Sequence, residues 1–77
     1  MHPPKAADIG NEVKAWIIRK GKTIQAVSNE IGMNRRTFAR KLDGSSPMHM
    51  VELVTICTHL GVDPSEVIRD AERMANR

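Results

Sequence analysis

The sequence predicts an all-α fold: a compact five-helix bundle in one domain, with a helix-turn-helix at the second and third helices. Three observations carry this. No stretch alternates with a period of two, so nothing reads as a strand. Apolar residues recur at helical spacing in successive stretches along the chain. Glycines and capping residues stand at the expected helix boundaries. The chain has 77 residues, 40% hydrophobic and 27% charged, the profile of one small domain. It shows no internal repeat and no low-complexity segment.

Residues 1–7 contain Pro3 and Pro4 and no apolar period, so they read as a flexible arm before a domain spanning residues 8–77. Asp8 is placed to cap the first helix, whose inner face is Ile9, Val13, Trp16 and Ile17, at i, i+4, i+7 and i+8. Arg19 and Lys20 fall in its last turn, where cations suit the macrodipole, and Gly21 ends it. Thr23 caps a second helix with a short stripe of Ile24, Val27 and Ile31, and Gly32 stops it. Asn34 caps a third, in which Phe38 and Leu42 form the buried side before Gly44. After a turn at Ser45–Pro47, a fourth helix runs from about His49 to Leu60, with Met50, Leu53, Val54, Cys57 and Leu60 facing inward and Gly61 at its end. Asp63-Pro64-Ser65-Glu66 is a strong start signal for a fifth: a capping Asp, a proline at the first helical position, and Glu three residues after the cap. This helix extends to about Ala75.

Charge divides along the chain. Residues 1–47 carry nine Lys/Arg against four acids, net +5; residues 48–77 carry three against five, net −2; together they give the formal +3. A basic first half suggests a face for a polyanion. Only Trp16 and Phe38 are aromatic, too few for a base-stacking platform of the single-strand type. One cysteine, Cys57, excludes an intramolecular disulfide framework and fits a reduced setting. No apolar run approaches a membrane span, and the N-terminus lacks the apolar core of a signal peptide, so a cytoplasmic location is expected. His2, His49, Cys57 and His59 offer no zinc-ligand spacing, and no serine has a placed histidine partner. No catalytic set, metal site, cofactor or small-molecule ligand is expected.

The stretch Asn34-Arg35-Arg36-Thr37-Phe38-Ala39-Arg40-Lys41-Leu42 is the most informative. Phe38 and Leu42 take one side; Arg35, Arg36 and Arg40 collect opposite, with Thr37 and Lys41 more lateral. There is no acid between Ile31 and Asp43. An arginine-rich amphipathic helix after a glycine turn fits a DNA major groove, where arginine can donate two hydrogen bonds to guanine O6 and N7.

At these residues the sequence resembles the lambda-repressor/Cro-like, or XRE, helix-turn-helix family. The resemblance rests on Val27-Ser28-Asn29-Glu30-Ile31-Gly32-Met33-Asn34-Arg35-Arg36-Thr37-Phe38, on Asp43-Gly44, and on Leu60-Gly61-Val62-Asp63, and it covers roughly Asp8 to Ala71. It implies that the second helix lies across the phosphate backbone and the third enters the major groove. Base contacts would then fall to Arg35, Arg36 and Arg40, and phosphate contacts to Lys22, Thr23, Gln25, Asn34, Thr37 and Lys41. Three positions depart from the family pattern: Ile24 stands where Gln is common, Ser28 replaces a small Ala, and His49 replaces a Ser or Thr cap. The length suggests a stand-alone Cro-type or phage regulator without an effector domain. The expected partner is a palindromic double-stranded operator, bound by a homodimer. The apolar band Val67, Ile68, Ala71 and Met74 of the fifth helix is wider than one small core needs and is the candidate dimer face. The rival reading is an antitoxin-like protein-interaction module that uses the C-terminal helix.

Overall fold

A computed structural model describes residues 3–76 and contains five α-helices: α1 (Ala6–Arg19), α2 (Ile24–Glu30), α3 (Arg35–Asp43), α4 (Met50–Leu60) and α5 (Pro64–Ala75). Among the described residues there is no strand. α1 runs through the middle of the assembly, packed between α3 and α5, while α2 abuts α3 and α4 bridges α2 and α5. Phe38, Ile17, Leu42, Ile56, Val13, Val27 and Val67 are the largest fully buried apolar side chains, so all five helices feed one core.

The helix ends follow local chemistry. Thr23 Oγ1 accepts from the Ala26 amide at 3.1 Å, and Asn34 Oδ1 accepts from the Arg36 and Thr37 amides at 2.9 and 3.4 Å. Asp63 Oδ1 accepts from the Ser65 amide, and Pro64 opens α5 as the four-residue signal indicates. Two starts differ from expectation. α1 begins at Ala6, two residues before Asp8, so part of the expected arm is helical; Met1 and His2 lie outside the described residues, as does Arg77 at the domain's other end. Asp8 serves as the third helical residue and reaches back to accept from the Lys5 amide at 2.9 Å. His49 makes no side-chain cap bond, and Glu52 compensates by accepting from the His49 amide at 2.9 Å.

Two further expectations are corrected. α4 turns Leu53, Ile56, Cys57 and Leu60 inward, and leaves Met50 60% and Val54 43% exposed. Apolar residues surround this helix, so Ile56 can replace Met50 and Val54 in the core without breaking helical spacing. On α5, Val67 and Ala71 are fully buried and Ile68 packs on the core, leaving Met74 as the largest exposed apolar side chain there. α1 covers the band, so the expected dimer face is largely intramolecular core.

The approach of α1 to α3 depends on glycine. A Cβ on Gly10, buried in α1, would fall on the Leu42 carbonyl. Gly44 ends α3 at φ 86°, and a Cβ there would stand 2.9 Å from the Ala7 backbone nitrogen. Backbone thus meets backbone where α1 crosses the end of α3.

Cys57 is fully buried, and burial pushes its thiol pKa up to about 11, with the charge of Asp63 adding to the effect. Native protein at pH 8 is therefore expected to resist a thiol-specific reagent for hours, whereas urea-unfolded protein reacts within minutes. Equal rates in the two states would sink this assignment.

Candidate nucleic-acid interface

α3 is nine residues long and divides cleanly. Phe38 and Leu42 are buried, while Arg35, Arg36, Thr37, Ala39 and Arg40 are exposed. Asn34 holds the first turn, so the helix starts rigidly at the end presented to solvent. Its remaining amide protons and partial positive charge favour an anion.

The side chains of Arg35, Arg36 and Arg40 make no hydrogen bond or salt bridge to any described residue. Their guanidinium donors face water and are available to an external acceptor. Arg40 and Lys14 flank Asp43 electrostatically. That carboxyl is held below its usual range first by hydrogen bonds from Ser45 and then by these two charges. Asn34, Arg35, Arg36 and Ala39 line a shallow concavity of about 630 Å³. Ala39 lies one helical turn beyond Arg35 and sets a bare methyl among the arginines. Sequence reading passes over it, because a lone alanine on a helix carries no pattern signal.

The flanking residues divide. Thr37 is exposed and its side chain is unbonded; Thr23 and Asn34 use one acceptor each as caps and keep donor protons for an outside partner. Lys22 Nζ pairs with Glu30 at 2.8 Å, an exposed ion pair of the kind worth at most about 1 kcal/mol and readily exchanged. Gln25 Nε2 lies along its own helix, donating to Asn29 Oδ1 at 3.0 Å and Ser28 Oγ at 3.4 Å, so it does not brace α3. Ile24 packs on the core instead. Ser28 is fully buried with its hydroxyl donating to the Gln25 carbonyl at 2.8 Å, which lets it act as a small residue at the crossing.

Lys41 departs from its expected phosphate role. Its side chain is 11% exposed, and Nζ donates to Glu52 Oε1 at 2.9 Å and to the Pro47 carbonyl at 3.1 Å. It ties the end of α3 to the loop and to α4. The cause is position: Lys41 directly precedes the buried Leu42 and so lies at the edge of the core, where a carboxylate from the next helix reaches it.

Among the described residues no group of three or more His, Cys, Asp or Glu could hold a metal, and no helix is long and apolar enough to cross a membrane.

In overall structure the chain is similar to the clp gene regulator ClgR from C. glutamicum, with a TM-score of 0.88 over 95% of each chain at 16% sequence identity. At that identity the likeness concerns the fold. No curated protein sequence matches the chain. Residues 13–71 match the model of the Cro/C1-type helix-turn-helix DNA-binding domain, and that stretch includes α2, α3 and α4 whole. A domain of this kind marks a DNA-binding regulator of transcription and not an enzyme. The chain belongs to the Cro/C1-type helix-turn-helix DNA-binding domain family.

Proposed function

We propose that this chain is a sequence-specific transcriptional regulator of the phage repressor/Cro type, which sets α3 in the major groove of an operator. The observation that carries the reading is the outward face of α3: three arginines without an internal partner, on a helix whose first turn is fixed by Asn34. Arg35, Arg36 and Arg40 read guanine edges, and the Ala39 methyl sits against a thymine methyl. Lys22, Thr23, Gln25, Asn34 and Thr37 face the phosphates. Lys41 has no part in this set, because its ammonium is held by Glu52. A homodimer on an inverted repeat would place two such helices one DNA turn, about 34 Å, apart.

Selection from a random duplex pool tests this. The expected winner is an inverted repeat with guanine-containing half-sites. With about four cations per protomer at the DNA, log K should fall against log salt with a slope of roughly −3 to −4 per half-site. Arg35→Ala is expected to lose about 1–3 kcal/mol of discrimination at one base pair, over and above the weakening it shows on random DNA. Equal weakening on operator and random DNA would remove Arg35 from base readout. Replacing the thymine opposite Ala39 with uracil, which lacks only the methyl, should weaken the wild-type complex several-fold. An unchanged affinity would withdraw that contact.

A further inference from the structure

α4 carries a cluster of exposed apolar side chains. Met50 is 60% exposed, Val51 77% and Val54 43%, three of the five large hydrophobic side chains left in water among the described residues. They fall within about 100° of one another around the helix. Thr55 and Thr58 adjoin them, and each donates its hydroxyl proton back into the helix, to the Val51 and Val54 carbonyls at 2.8 Å. This face carries no charged side chain. The one acid of α4, Glu52, turns to Lys41, and His59 lies on the far side of the stripe. On a chain in which 27% of residues are charged, an uncharged helix face with three exposed aliphatic side chains marks an interaction surface. Ile18, by contrast, is a single exposed apolar side chain on α1.

We propose that a second copy of this chain docks on the Met50–Val51–Val54 face, α4 against α4 about a twofold axis. The inference rests on the operator reading only for its purpose. Three arguments fix the occupant. DNA is excluded, since the face offers phosphates no cation. A lipid surface would want basic residues flanking the apolar ones, and α4 has no lysine or arginine. A twofold contact brings each side chain against the same small set in its partner, and an uncharged face meets itself without repulsion although each copy carries a formal +3. The size of the face sets the strength. Three aliphatic side chains and two threonine methyls cover far less than the ~800 Å² per partner of a standard interface, so the dimer is weak alone and forms fully when two half-sites hold the copies together. Residues 44–49 join the end of α3 to the start of α4, so a short segment links the docked face to the arginine-bearing helix. The face also replaces α5, whose apolar band the core has used.

Two variants of the full chain test this. Val54→Cys places a thiol at the centre of the face, and Arg69→Cys places one on the exposed side of α5; Cys57 is buried in both. Under a mild oxidant at equal concentration, Val54→Cys should form the covalent dimer roughly tenfold faster than Arg69→Cys, because docking raises the effective concentration of the partner thiol. Equal rates overturn the proposal, and this readout needs no DNA. On DNA, Val54→Glu should abolish cooperative binding to an inverted repeat while leaving affinity for a single half-site unchanged, and Met74→Glu on α5 should keep both. Cooperativity lost in Met74→Glu and kept in Val54→Glu also overturns it. If the wild-type chain selects no DNA sequence, the operator reading fails, and the thiol rates still decide the dimer.

Discussion

Replacing Gly10 with alanine is expected to destabilise the domain by about 2–3 kcal/mol or more, a large share of the roughly 5 kcal/mol expected of a domain this small. The sign runs against helix propensity. Gly→Ala inside a helix normally gains about 1 kcal/mol. Here the added methyl would fall on the Leu42 carbonyl, which is backbone and cannot rotate away. α1 and α3 must move apart, and the contacts of Val13 and Ile17 with Phe38 and Leu42 loosen with them. Because Leu42 belongs to the arginine-bearing helix, DNA affinity should fall with stability. Urea unfolding measures this directly, and a midpoint at or above that of wild type would show that the two helices have room to spare.

Lys41→Met should cost roughly 2 kcal/mol, since it leaves the Glu52 carboxylate and the Pro47 carbonyl without their ammonium in a partly buried site. The pH dependence has a definite sign. The Glu52 carboxyl is held below its ordinary value, first by the hydrogen bond from Lys41 and then by the His49 amide. A depressed carboxylate stabilises the fold above the pKa of the unfolded chain and loses that contribution as pH falls through the folded value. Wild type should therefore lose stability from about pH 5 downward, and Lys41→Met should lose less over the same interval. The variant that remains folded should bind DNA with an unchanged salt slope. A slope shallower by about one unit, with an unaltered urea midpoint, would return Lys41 to the phosphates.

The fold was legible where local chemistry decides it. Asp63 and Pro64 start α5, Asn34 starts α3, and Gly44 ends it, because each residue acts within its own turn. Phe38 and Leu42 were readable as core because the opposite side of α3 is polar apart from the small Ala39. The exposed arginines of the site were legible for the same reason. Partners distant in sequence were not. Lys41 reads as a surface cation until Glu52, eleven residues later on another helix, claims it. The inward face of α4 was ambiguous, since Met50, Val54 and Ile56 all satisfy helical spacing and only tertiary packing chooses among them. Gly10 carries no pattern signal in the sequence, because its importance lies in a backbone across the crossing.

The central position of α1 also shapes how the protein is made. Of the five helices α1 is made before the others, yet its apolar stripe is covered from one side by α3 and from the other by α5, the last of the five in chain order. Val67 and Ala71 close the core from the far end of the chain. A nascent chain stopped before Pro64 would present Val13 and Ile17 with half their cover missing. Closure of the core thus waits for α5 to be made, and a chain cut short before it would be a substrate for proteases.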